Sequence, residues 1–194
     1  MLAIRTFIAV LVPSITLNTL SAIQDRFKKL GLHATWTRPG NIHLTLKFLG
    51  DTDPQRIPEI TKALDGLAAG HRPFQVSLGG LGVFPGWKKP RVVWVGLDDR
   101  DGHLASLQSG VESAVERLGW PRENRPFSPH LTLGRIKSPK GCERLKREMD
   151  DLGNMDASPF QVASFSLIQS ELTPKGSNYT VLKEISLQGR SPDP

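Results

Sequence analysis

The chain has 194 residues, 38% hydrophobic and 23% charged, and this composition excludes a disordered or fibrous protein. A formal net charge of +6 favours anionic ligands such as nucleic acids and nucleotides, although many soluble proteins are mildly basic. The single cysteine, Cys142, excludes an intramolecular disulfide and a Cys/His metal site, and it fits a reducing compartment.

The hydrophobic pattern predicts the same order of elements twice. In the first half it predicts strand, helix, strand, helix and strand at residues 3–12, 14–30, 41–49, 58–69 and 74–84. In the second half it predicts the same order at residues 91–97, 104–118, 128–136, 141–152 and 160–169. A last strand is expected over residues 179–187.

The N-terminal apolar run is the one segment that resembles a targeting sequence. Residues 7–12 are too few to cross a bilayer, Pro13 ends the run, and no signal-peptide cleavage site follows. No other stretch reaches the length of a transmembrane helix. We therefore expect a cytoplasmic protein that has no membrane partner. We also expect a monomer, although nothing in the sequence fixes the oligomeric state.

Two tetrapeptides occur twice in the same order. His-Leu-Thr-Leu stands at residues 43–46 and 130–133, and Pro-Phe-Gln-Val at residues 73–76 and 159–162. The spacings of 87 and 86 residues indicate a duplication. We predict one bilobal domain over 1–194, with repeats at about 1–86 and 87–172 and a C-terminal strand segment at 173–190. The fold class is α+β, with two antiparallel-rich sheets and flanking helices around a central cleft.

The repeated motif places polar and apolar residues on opposite faces of a strand. Because side chains alternate, one face should carry His43, Thr45 and Lys47, and the core face Leu44, Leu46 and Phe48. In the second copy His130 and Thr132 should share a face, with Leu131 and Leu133 pointing inward. A pseudo-twofold axis between the copies would bring two imidazoles and two hydroxyls around one point.

Such a pair fits acid–base chemistry on a phosphodiester. A neutral imidazole can take a proton from water while a protonated one gives a proton to the leaving oxygen. The hydroxyls of Thr45 and Thr132 can donate hydrogen bonds to the non-bridging oxygens. This scheme needs neither a metal nor a cofactor.

A zinc site is the competing interpretation of the two histidines. Residues 41–49 and 128–136 contain no Asp, Glu or Cys that would supply a third ligand. The remaining histidines, His33, His71 and His103, show no partner pattern, and we interpret them as surface or loop residues.

The twin motifs and their flanks resemble the 2H phosphoesterase superfamily, and within it the RNA 2′,3′-cyclic phosphodiesterases, also called RNA 2′–5′ ligases. The flanking segments are Arg-Thr-Phe-Ile-Ala-Val at 5–10, Phe-Pro-Gly-Trp-Lys-Lys-Pro-Arg-Val-Val-Trp at 84–94, and Ser-Glu-Leu-Thr-Pro-Lys-Gly-Ser-Asn-Tyr at 170–179. The resemblance implies metal-independent hydrolysis of an RNA or nucleotide 2′,3′-cyclic phosphate to a 2′-phosphate. It also implies that His43 is the proton donor and His130 the proton acceptor. The sequence alone does not assign these roles, because the two motifs are nearly symmetric.

The same resemblance implies a phosphate-binding arginine after the second motif, at Arg135. Plain alternation would place Arg135 with Leu131 on the core face, so a bulge near Gly134 is needed to turn it toward the site. A plain surface role is the alternative for Arg135. Phe84, Trp87 or Trp94 could stack on bases, and for Trp94 core packing is the alternative.

Two other functions remain open at this point. The first is RNA 2′–5′ ligation, the reverse of the same phosphoryl chemistry at the same site. The second is a non-catalytic RNA-binding module, which the basic charge favours but which leaves the histidine pair without a role.

Overall fold

The computed structural model describes residues 2–153, 159–174 and 176–189. Within these ranges the chain forms nine strands: Ile4–Leu11 (β1), Ala34–Trp36 (β2), His43–Thr52 (β3), Phe74–Phe84 (β4), Val92–Asp98 (β5), His130–Ile136 (β6), Phe160–Val162 (β7), Ser164–Thr173 (β8) and Gly176–Ser186 (β9). The four α-helices are Ser14–Lys28 (α1), Ile57–Ala68 (α2), His103–Glu116 (α3) and Cys142–Leu152 (α4).

The strands pair antiparallel in the order β7-β4-β5-β6-β3-β1-β8-β9, and β2 pairs with β6. The two halves of this sheet meet where β3 pairs with β6. Each predicted repeat also contributes its last long strand to the other half, because β4 pairs with β5 and β8 pairs with β1. The duplicated α+β fold is confirmed, and the exchange of β4 and β8 ties the two halves together.

The helices cover one face of the sheet. On β1, Ile8 and Val10 belong to the large apolar cluster that also contains buried residues of all four helices. The alternate residues Phe7 and Ala9 belong to a separate small cluster with Ile168. Because neighbouring strand residues point to opposite faces, the second cluster lies on the face that the helices leave open.

Most predicted elements are found within a few residues of their expected bounds. The predicted strand at 160–169 is divided at Ala163 into β7 and β8, and the three-residue β2 was not predicted. Two predictions extend beyond the described residues. The predicted C-terminal signature includes Lys175, and the predicted single domain includes residues 190–194. No described helix is long and apolar enough to span a membrane.

Candidate active site

The two motif strands meet at equivalent residues. Leu44 of β3 lies opposite Leu131 of β6, and these residues hold the same position in the two copies of the motif. A pseudo-twofold axis therefore passes between them. Both leucines are buried on the helix side, so the flanking histidines and threonines face the open side of the sheet.

The antiparallel register brings the four motif side chains together. An antiparallel register that continued from the Leu44–Leu131 pair would set His43 across from Thr132 and Thr45 across from His130. All four side chains are partly buried. The arrangement expected from the duplicated motif is thus a single cluster on one face.

Both imidazoles are oriented by the same backbone contact. Nδ1 of His43 lies 2.8 Å from the carbonyl oxygen of Asn41, and Nδ1 of His130 lies 2.7 Å from that of Ser128. A carbonyl oxygen only accepts hydrogen bonds, so Nδ1 carries the proton and donates it in each ring. Nε2 is then the atom that accepts or donates a proton toward a substrate.

Each imidazole also packs against two aromatic rings. The ring centroid of His43 lies 4.8 Å from that of Phe7 and 5.4 Å from that of Tyr179. His130 lies 5.0 Å from Phe84 and 6.4 Å from Trp94. These contacts hold the rings in place and exclude water from one side of each imidazole. Phe84 and Trp94, considered above for base stacking, are therefore contacts of His130.

Trp94 explains a glycine in the neighbouring strand. Gly82 lies opposite Trp94 in the β4–β5 pairing, and a Cβ atom on Gly82 would overlap the indole ring. A larger residue at this position would displace the indole and disturb its contact with His130.

The surroundings of His43 influence its protonation. Burial lowers the pKa of His43, the hydrogen bond to Asn41 opposes that shift, and the charge of His130 lowers the pKa further. Without a nearby anion His43 therefore favours its neutral form. A bound phosphate anion acts in the opposite direction, because a nearby negative charge stabilises the imidazolium.

Each motif strand has a bulge directly after its threonine. In the β1–β3 pair Ala9 lies opposite Thr45 but Ile8 lies opposite Lys47, which leaves Leu46 as an extra residue. In the β5–β6 pair Trp94 lies opposite Thr132 but Val93 lies opposite Gly134, which leaves Leu133 as an extra residue. The two bulges occupy equivalent positions in the repeat.

The first bulge overturns the expected faces of Lys47 and Phe48. An extra residue shifts the alternation by one position, so the residues beyond it change faces. Lys47 is accordingly buried, with 7% of its surface exposed, and Phe48 is 63% exposed on the open face. The prediction that Lys47 shares a face with His43, and that Phe48 lies in the core, was wrong.

The second bulge places Arg135 on the open face. Leu133, Gly134 and Ile136 are buried, whereas Arg135 between the last two is exposed. The bulge required by the sequence argument is present, one residue before Gly134. The structure thus brings Arg135 to the same face as His130 and Thr132, and its contact with phosphate remains a prediction.

Two glutamines that the sequence analysis missed hold the bulges. Nε2 of Gln24 in α1 donates to the carbonyl oxygen of Leu133 at 2.7 Å, and Nε2 of Gln108 in α3 donates to that of Leu46 at 3.5 Å. Each helix thus holds the motif strand of the other repeat. The only sequence signal was a polar residue on the apolar side of each helix, such as Gln24 between Ile23 and Phe27.

Within the part of the chain that the structure describes, no three acidic, histidine or cysteine side chains are grouped closely enough to hold a metal ion.

Comparison with known proteins gives consistent results. A sequence model of the family described as LigT like Phosphoesterase matches residues 10–94 and again residues 95–179. An RNA 2′,3′-cyclic phosphodiesterase of Methanothermobacter thermautotrophicus is 33% identical over 95% of this chain and 99% of its own. An RNA 2′,3′-cyclic phosphodiesterase of Thermotoga maritima is 36% identical over 95% of this chain and 96% of its own.

Solved structures show the same fold. The crystal structure of TT0787 of Thermus thermophilus matches with a TM-score of 0.78 and 30% identity, covering 96% of this chain and 100% of that one. The structure of E. coli LigT complexed with 3′-AMP matches with a TM-score of 0.71 and 26% identity, covering 95% of this chain and 98% of that one.

Proposed function

The chain belongs to the LigT-like phosphoesterase family, and we propose that it hydrolyses 2′,3′-cyclic phosphate ends of RNA to 2′-phosphates. The observation that carries the proposal is the pair of imidazoles, each with Nδ1 fixed by the carbonyl two residues earlier. Related enzymes with the name RNA 2′,3′-cyclic phosphodiesterase match nearly the whole chain. These two lines of support are independent, because one is geometric and the other rests on sequence identity.

The proposed reaction uses His130 as base and His43 as acid. Nε2 of neutral His130 takes a proton from a water molecule, whose oxygen forms a bond to phosphorus. The bond between phosphorus and the 3′ oxygen breaks, and Nε2–H of protonated His43 gives its proton to that oxygen. The product carries a 2′-phosphate and a 3′-hydroxyl. The role split follows the family resemblance. The pseudo-twofold places the two rings on opposite sides of the axis, which suits one acid and one base but does not say which ring is which.

Three further side chains complete the proposed site. The hydroxyls of Thr45 and Thr132 donate hydrogen bonds to the non-bridging oxygens, where charge increases in the transition state. The guanidinium of Arg135, exposed on the same face, binds phosphate through a charge-assisted hydrogen bond. The substrate's negative charge also favours the protonated state of His43 that an acid requires, and so offsets the effect of burial on its pKa.

The wider setting is part of the same proposal. We infer a monomer that acts in the cytoplasm on RNA or nucleotides, as one domain of two repeats. The free and buried thiol of Cys142 is compatible with a reducing compartment. Two successive matches to one family support the duplication, although their bounds differ from the repeats drawn at 1–86 and 87–172.

The proposal predicts turnover in the presence of a chelator. An RNA oligonucleotide that ends in a 2′,3′-cyclic phosphate should be converted by the wild-type protein in EDTA to the 2′-phosphate, as measured by chromatography against both isomers. The same oligonucleotide with a linear 3′-phosphate is the matched control and should remain unchanged. Unreacted cyclic phosphate, or a 3′-phosphate product, would refute the proposal. Added 5′-hydroxyl RNA would reveal 2′–5′ ligation as a joined product.

A further inference from the structure

The carbonyl that orients His43 belongs to a residue that is itself held by the C-terminal strand. Nδ1 of His43 donates to the backbone oxygen of Asn41 over 2.8 Å, and Nδ2 of the Asn41 side chain donates to the backbone oxygen of Ser177 over 2.7 Å. Asn41 ends the short 3₁₀ turn Pro39–Asn41 just before β3, and Ser177 lies near the start of β9. These two bonds link β9 to the imidazole through one residue.

β9 contacts the imidazole directly as well. The ring of Tyr179, two residues after Ser177, lies 5.4 Å from the ring of His43 in an edge-on arrangement. Both residues belong to the paired part of β9, because Ser177 lies opposite Leu172 and Tyr179 lies opposite Ser170 on β8. One strand therefore supports both the acceptor of the Nδ1 proton and the packing of the ring.

The other histidine is held in a different setting. His130 donates to the backbone oxygen of Ser128, which is the equivalent of Asn41 at a spacing of 87 residues. The side chain of Ser128 is shorter and carries no amide. In the sheet, β6 is separated from β9 by β3, β1 and β8. The link through Asn41 thus distinguishes two histidines whose motifs are otherwise nearly identical.

We propose that Asn41 is a positioning residue, which uses its side-chain bond to β9 to hold the backbone oxygen that orients His43 for proton donation. This inference rests on the proposed function and gives the C-terminal strand a part in it. Asn41 acts through His43 and not on the substrate. Its carbonyl fixes the tautomer and the direction of the ring, and its amide fixes the carbonyl.

Loss of the amide has a predictable effect on protonation. Burial lowers the pKa of His43, the hydrogen bond to Asn41 raises it, and the charge of His130 lowers it. His130 and Tyr179 are the titratable groups that β6 and β9 place near the imidazole, whereas β1 places the uncharged Phe7 there. A carbonyl that is no longer anchored forms a weaker bond, so the pKa of His43 should fall.

NMR of the histidine side chains tests the inference without turnover. Long-range nitrogen–proton correlation spectra should show the proton on Nδ1 in both His43 and His130 of the wild type. Asn41→Ala should give His43 a mixture of tautomers and a lower pKa, and leave the tautomer of His130 unchanged. In steady-state hydrolysis kcat should fall about tenfold at unchanged KM, within the 10²-fold that a displacement of about 1 Å can cost. Asn41→Leu, which has a similar volume and no donor, should behave in the same way.

Ser164→Ala is the matched control. It removes a hydrogen bond of 2.7 Å to Glu184 at the far end of the same strand pair, and it should change neither the spectra nor kcat. An unchanged tautomer and pKa of His43 in both Asn41 variants would overturn the inference, and so would equal tautomer changes in both histidines. A change confined to His43, in a protein that does not hydrolyse cyclic phosphates, would support the link and contradict only the proposed function.

Discussion

Replacing His43 or His130 by alanine is expected to lower kcat by about 10²–10⁴-fold, the usual contribution of a positioned general acid or base. Each imidazole has its Nδ1 bound to a backbone carbonyl, so that Nε2 is the proton-transfer atom in both rings. Alanine removes that atom and leaves the strand pairing intact. The measurement is steady-state hydrolysis of a cyclic-phosphate oligonucleotide, together with circular dichroism to verify folding.

A control histidine and a double variant make this prediction specific. His103, whose ring lies 5.3 Å from Phe74, also packs against an aromatic ring but lies at the start of α3. His103→Ala should retain wild-type kcat. The double variant of His43 and His130 should be only slightly slower than the slower single variant, because groups that act as a unit are not additive. A single variant with near wild-type kcat would contradict the paired assignment.

Lys47→Ala is expected to lower the free energy of unfolding by about 3–5 kcal/mol, the usual cost of removing one partner of a buried ion pair. Nζ of Lys47 lies 2.7 Å from Oε2 of Glu112 and 2.6 Å from the carbonyl oxygen of Pro121. The side chains of Lys47 and Glu112 are 7% and 6% exposed. Without the ammonium, the carboxylate of Glu112 is buried without its positive partner. Urea unfolding at neutral pH measures the change.

Two variants separate this cost from other effects. Lys28→Ala breaks an exposed ion pair with Asp25 and should cost about 0–1 kcal/mol. The double variant Lys47→Met and Glu112→Gln should recover much of the lost stability, because it removes both buried charges. A loss below about 1 kcal/mol for Lys47→Ala would show that the buried pair is not maintained in solution.

The sequence predicts the site better than it predicts the surroundings of the site. The repeated His-x-Thr pattern indicates a shared cluster for two reasons. Alternation puts the histidine and threonine of each motif on one face of a strand, and the duplication pairs His43 with His130. Lys47 and Phe48 were assigned to the wrong faces, because the bulge at Leu46 arises from pairing with β1 and leaves no local signature. The family resemblance places Arg135 at the phosphate, and only a bulge in β6 can turn it there. Side-chain alternation alone gives no reason to expect that bulge.

Non-local pairing accounts for the other omissions. β2 has three residues and is defined by its partner β6, so no periodic pattern reveals it. The placement of β4 beside β5, and of β8 beside β1, depends on long-range contacts that single-strand patterns do not contain. The role of Gln24 depends on the carbonyl of Leu133, more than a hundred residues away in the chain.

The pH dependence of turnover tests most directly whether two imidazoles exchange protons with one phosphodiester. A bell-shaped profile is expected if His130 acts as the base and His43 as the acid. Because burial lowers the pKa of His43 in the free enzyme, the falling limb of kcat/KM should lie at lower pH than that of kcat, where the bound anion favours the imidazolium. His130→Ala should remove the rising limb and His43→Ala the falling one. A wild-type profile with a single limb, or the same profile in both variants, would contradict the account.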